Sequence, residues 1–90
     1  MRIENMRSNS SGREVANQFI IFDDEGCTFF QSYNSIIVKI DRKNRKVFLD
    51  EFYWDYSKTT GKYRNQFLGE SKAETEKKIK SGEYILTNLN

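Results

Sequence analysis

Between Gln18 and Leu49 the apolar residues come in short runs broken by turn-forming residues. Gln18-Phe19-Ile20-Ile21-Phe22 is rich in β-formers and is closed by Asp23-Asp24-Glu25-Gly26, which predicts a strand ending in a hairpin turn. Cys27-Thr28-Phe29-Phe30-Gln31-Ser32-Tyr33 runs back, and Asn34-Ser35 separates it from Ile36-Ile37-Val38-Lys39-Ile40, where Ile36, Val38 and Ile40 share one face. The charged turn Asp41-Arg42-Lys43-Asn44-Arg45, with Asn44 as its left-handed residue, leads into Lys46-Val47-Phe48-Leu49-Asp50. The pattern predicts a four-stranded antiparallel meander. The stretch before it, Met1 to Asn17, mixes charges with Arg7-Ser8-Asn9-Ser10-Ser11-Gly12-Arg13 and reads as a leading segment followed by a flexible polar loop.

After Leu49 the period changes. Asp55 or Ser57 can cap a helix beginning near Lys58, on which Thr60, Tyr63 and Phe67 form a buried stripe opposite Lys58, Lys62 and Asn65. Thr59, Thr60 and Gly61 are poor helix formers, so an irregular loop is the alternative for the first turn. Gly69 is placed to end the helix. Ser71-Lys72-Ala73-Glu74 is a capping box, Glu74 with Lys78 and Glu76 with Lys80 are i, i+4 pairs, and Gly82 supplies the stop. Only Ala73, Thr75 and Ile79 can be buried there, which makes it a surface helix, and Tyr84-Ile85-Leu86 reads as a last short strand. The fold expected is α+β: one small domain over residues 1–90, its four-stranded sheet packed on the first helix, with the second helix and the C-terminal strand at the edge.

Composition narrows the chemistry. The chain has 90 residues, no histidine and one cysteine, Cys27. That removes an intramolecular disulfide and any cysteine or histidine zinc site, and it points to a reducing compartment. No stretch has the length of a signal peptide's apolar core or a membrane span, so a cytoplasmic protein with no membrane partner is expected. Fifteen Lys plus Arg against thirteen Asp plus Glu give +2, far from the basic excess of a nucleic-acid coat.

Two blocks carry a resemblance. Arg7-Ser8-Asn9-Ser10 and Ala16-Asn17-Gln18-Phe19-Ile20-Ile21, continued in Phe30-Gln31-Ser32-Tyr33-Asn34-Ser35-Ile36-Ile37, form the first. Tyr53-Trp54-Asp55-Tyr56-Ser57-Lys58-Thr59-Thr60-Gly61-Lys62-Tyr63-Arg64, with Phe67-Leu68, forms the second. Together they resemble a family of small uncharacterised proteins encoded by bacteriophages. The resemblance brings no residue-level chemistry. It implies a context, since small phage accessory proteins are often inhibitors of host proteins, anti-CRISPR and other anti-defence factors among them.

Catalysis finds little support in the residues. Without histidine, acid and base work would fall to Asp50, Glu51 and Asp55, which read instead as strand-end and cap residues. Asp23-Asp24-Glu25-Gly26 lacks the alternating spacing of a calcium loop and is a turn. Ser8 to Gly12, with Arg7 or Arg13, has the composition of an anion nest but lacks the phosphate-loop lysine. Cys27 has no basic neighbour to activate it and reads as structural. The expectation is therefore a protein that is not an enzyme and takes no cofactor or metal.

The basic residues are the better signal. Arg42, Lys43, Arg45 and Lys46, with Lys39 close by, gather at one hairpin, while Lys58, Lys62 and Arg64 follow on the helix. Sharing one positive surface, they would bind a host protein, such as a defence or nucleic-acid-processing complex. The rival is direct nucleic-acid binding through the same residues, with Tyr53, Trp54 and Tyr56 as stacking platforms. Those aromatics also fit a strand-to-helix junction packed into the core, with Trp54 largely buried. Exposed sheet edges leave a homodimer open by strand pairing.

Overall fold

The computed structural model describes residues Met1–Asn90. It is α+β: a six-stranded sheet in the order β1-β2-β3-β4-β5-β6, with two helices between its last two strands. The strands are β1 (Arg2–Arg7), β2 (Glu14–Phe22), β3 (Cys27–Ser32), β4 (Ser35–Asp41), β5 (Lys46–Asp50) and β6 (Tyr84–Thr87). The helices are α1 (Lys58–Leu68) and α2 (Lys72–Ser81). Neighbouring strands are antiparallel except β5 and β6, because the chain crosses over through both helices before pairing again. Neither helix is long and apolar enough to cross a membrane.

The expected four-stranded meander is thus too small. Residues Met1 to Asn17 hold the whole of β1 and the start of β2, joined by a hairpin loop in which Ser8 donates to the Arg13 carbonyl at 2.9 Å and Gly12 to the Ser8 carbonyl at 2.8 Å. Strand β1 carries Arg2, Glu4 and Arg7 among its few apolar residues, as edge strands often do, so its composition resembles a loop. An irregularity between Asn5 and Arg7 interrupts the pairing. Asn17 takes φ of 65° opposite it, and the Asn5 amide donates to the Val15 carbonyl at 2.8 Å.

Two further local readings need correction. A register shift between Phe30 and Gln31 leaves Ile37 as the extra residue of β4, so Ile37 and Val38 are both buried and join one core cluster, while Ile36 lies opposite Gln31. In the β4–β5 turn the left-handed residue is Arg45, at φ of 53°, because the Asn44 amide instead donates to Asp41 at 2.8 Å.

The helices begin and end where their caps predict. Ser57 accepts from the Thr60 amide at 3.1 Å, and Gly69 takes φ of 70° at the other end of α1. The Ser71–Glu74 capping box and Gly82 bound α2. Both helices lie over one face of the sheet, where Phe30, Val38 and Leu49 are fully buried with Met6, Ile37, Tyr63 and Tyr84. Phe67 of α1 stacks on Phe30 with ring centroids 5.6 Å apart. Thr60, buried as expected with Tyr63, also acts as a polar pin: its hydroxyl meets that of Ser32 at 2.9 Å and docks the first turn of α1 on the end of β3.

Candidate binding surface

Strand β3 separates the two basic clusters. Its first residue, Cys27, pairs with Asp41 at the start of the basic turn, whereas its last, Ser32, holds α1 through Thr60. At the rise of an extended strand, these ends lie roughly 17 Å apart. The single positive surface expected from the sequence therefore does not form. Arg42, Lys43, Arg45 and Lys46 are exposed at one end of the molecule, beside the acidic turn Asp23-Asp24-Glu25, with Arg42 donating to the Gly26 carbonyl at 3.3 Å. Adjacent acidic side chains offset much of their field.

Lys58 and Lys62 are exposed on α1 at the other end. Arg64, expected beside them, is instead 1% exposed. Its guanidinium donates to the Trp54 carbonyl, to Asp55 at 3.3 Å and to Asn65 at 2.9 Å, and it lies 5.2 Å from the centre of the Trp54 ring. Arg64 therefore fastens the 51–57 loop to α1. Lys72, overlooked in the sequence, takes the outer position, 2.7 Å from Asp55. Burial pushes the Asp55 carboxyl up, but Lys72 and Arg64 outweigh it and hold it below the ordinary value.

The aromatic segment divides. Tyr53 and Trp54 pack against the core, as the strand-to-helix junction reading expects, while Phe52 and Tyr56 stand 75% and 69% exposed. Tyr33, at φ of 55° in the β3–β4 turn, is also exposed. With Tyr53 and Tyr56 it lines a groove of about 560 Å³ whose other lining residues include Ser32, Ser35, Ser57, Thr59 and Thr60. Ser57 also borders a second trough, of about 600 Å³, flanked by Lys58, Lys62 and Lys72 around Asp55. Nothing in the sequence marked the groove: the positive φ of Tyr33, unusual for a non-glycine residue, is visible only in the structure.

The remaining candidates are engaged structurally. Asp50 is fully buried and accepts from the amides of Phe52, Tyr53 and Leu89 and from the Asn90 side chain. Burial pushes its carboxyl up, and these donors more than offset that, leaving it below the ordinary value. Glu51 is exposed at the loop start. Ser57, not Asp55, caps α1. Burial raises the Cys27 thiol, with Asp23 and Asp41 adding to the effect, so the thiolate is disfavoured. Asp23 closes its own turn by accepting from Glu25 and Cys27 at 2.9 and 2.8 Å.

Residues 1–83 match the model of one protein family. The chain belongs to DUF8033, a family of unknown function. No curated protein and no solved structure matches it.

Proposed function

We propose that this DUF8033 protein is a non-catalytic binding protein that engages a host macromolecule, most directly a protein, and blocks or redirects it. The observation carrying this reading is the groove lined by Tyr33, Tyr53 and Tyr56, of which Tyr33 and Tyr56 are exposed, which shares Ser57 with the trough of Lys58 and Lys62, while exposed Phe52 stands in the same 51–57 loop. Large aromatics framed by cations are the residue types that anchor protein interfaces, because they bury much area for little lost side-chain freedom. Asp50 and Asp55 support the non-catalytic part: their oxygens already accept from several donors, and both carboxyls are held below the ordinary value, which does not suit a general acid near neutrality. The resemblance to small bacteriophage proteins supplies the setting, a host cytoplasm, and an anti-defence role, anti-CRISPR included, is the form the proposal takes there. The exposed turn of Arg42, Lys43, Arg45 and Lys46 is then a separate, weaker contact.

A second reading, direct binding of single-stranded nucleic acid, is favoured by the tyrosine groove opening beside the lysine trough, since stacking faces next to cations suit a flexible anionic strand. Salt separates the two. Affinity for a generic single strand should fall with a logarithmic slope of about −0.7 per phosphate contact, whereas a protein partner held by aromatic anchors loses mainly association rate. Pull-downs from host lysate with wild type, with Phe52→Ser/Tyr56→Ser and with Lys58→Ser/Lys62→Ser should show one partner lost with the aromatic pair and only weakened with the lysine pair. Micromolar binding of generic oligonucleotides, abolished by the lysine pair and by moderate salt, would overturn the protein-partner reading.

A further inference from the structure

The helices cover one face of the sheet, and the other is bare. Across that bare face the register sets Ile3, Ile21, Phe29, Lys39, Phe48 and Ile85 side by side, one from each strand. None belongs to the core cluster or packs against it, and Ile3 is 60% and Ile85 38% exposed. Phe19 extends the row along β2, opposite Gln31. An antiparallel sheet with one wet face carries polar residues outward, whereas near-continuous apolar strands such as Phe19-Ile20-Ile21-Phe22 mark a sheet covered on both sides. The lone charge in the row does not break it: the Lys39 ammonium lies 6.0 and 5.7 Å from the ring centres of Phe29 and Phe48, its stem part of the apolar surface.

We propose that this open face is a self-association surface on which a second copy of the chain docks, sheet against sheet. Area and charge select that occupant. Six strands at the usual spacing, each about five residues long, present roughly 500 Å² in projection. Two such faces remove about 1,000 Å² from water before side-chain relief is counted, the lower limit for a specific interface. The face also carries both signs of charge: Asp41 follows Lys39 two positions along β4 and so projects from the same side, where it accepts from Asn44 and has Lys46 opposite it on β5. A second copy laid with its strands running the other way brings each lysine towards the other copy's aspartate, the isologous arrangement a two-fold dimer requires. The pairing leaves the Phe52–Lys62 surface of each copy free, so it stands independently of the function proposed above.

Sedimentation equilibrium of the full chain from micromolar to millimolar concentration tests this. The expected result is a reversible shift from 10.7 kDa towards twice that mass. Phe48→Lys and Ile85→Lys, each checked for an unchanged circular dichroism spectrum, should weaken association at least tenfold. The paired charge reversal Lys39→Glu/Asp41→Lys should weaken it less than Lys39→Glu alone. A wild-type chain that stays monomeric at millimolar concentration would overturn the proposal. So would a dimer indifferent to both lysine variants, which would place association at a sheet edge, and so would a monomer whose open face instead captures a foreign protein in a manner lost in the same variants.

Discussion

The two faces of the sheet carry similar apolar side chains and have different environments. Phe30, Val38 and Leu49 lie under α1 and α2 and are fully buried, while Phe29 and Phe48, their immediate neighbours along the same strands, remain half-exposed on the other side. Because strand side chains alternate, one stretch such as Phe29-Phe30 supplies both faces, and hydrophobicity alone cannot say which is covered inside the monomer. Only the crossover from β5 through the helices to β6 makes the faces unequal. If the proposed dimer forms, the apolar pattern of these strands records burial in the assembly rather than in the single chain.

The sharpest test of that contrast is a pair of truncations in dilute solution. Phe30→Ala should cost about 3–5 kcal/mol, the range for large buried side chains. Phe48→Ala should cost about 1 kcal/mol, because the half-exposed ring loses only part of its transfer free energy. Urea denaturation gives both, and equal costs would erase the distinction between the faces.

Arg64 tests whether a charged group on the covered side is structural. Arg64→Ala strips a donor from the Trp54 carbonyl, Asp55 and Asn65 and should cost about 1–3 kcal/mol. Arg64→Lys should not restore it, since an ammonium cannot reproduce the fork of donors. Lys58→Ser and Lys62→Ser, both exposed earlier on the same helix, should stay within about 0.5 kcal/mol. A folded Arg64→Ala of unchanged stability that lost partner binding would return Arg64 to the surface role read from the sequence.

Gln18 sharpens the comparison from the opposite direction. It is fully buried on the helix-covered side, and neither its amide nitrogen nor its oxygen has a hydrogen-bond partner in the chain. Gln18→Met, similar in volume, should therefore stabilise the protein by about 1–2 kcal/mol by removing an unpaired polar group. A loss of stability on denaturant titration would show that the amide is satisfied.

The smallest effects near neutrality come from the ionised groups under the covered face. Burial raises the Tyr84 hydroxyl to about 12, helped by its bond to Glu70, while an unfolded tyrosine ionises near 10.0. Between those values the unfolded chain releases a proton that the native chain keeps, so stability should fall as pH rises from 10 towards 12. For Glu70, burial pushes the carboxyl up, but Lys78, Thr75 and Tyr84 outweigh it and hold it below 4.5. Its stabilisation is present above that pH and lost as acid protonates it, and Asp50 behaves likewise below 3.8. Thermal melts from pH 2 to 12 should show both losses with a flat region between them. Tyr84→Phe should remove only part of the alkaline slope, because Glu70 and Asp55 also raise the Lys78 and Lys72 ammonium groups and burial raises the Cys27 thiol.

Elements set by neighbours a few residues away were legible in the sequence. Helix α2 follows from Ser71, Glu74 and Gly82, all within one turn of its ends, and β2 to β5 follow from apolar runs punctuated by Gly26, Asn34 and Asn44. What depended on distant partners was not. Strand β1 exists because β2 offers it an edge, since Arg2, Glu4 and Arg7 give it no strand pattern of its own. The parallel pairing of β6, the burial of Arg64 beneath Trp54 and the separation of the two basic clusters each depend on how the crossover packs. The sequence by itself determined an α+β chain with two capped helices and a central run of hairpins. The tertiary structure alone decided which sheet face is covered and which cations reach solvent, because both follow from contacts between elements far apart in the chain.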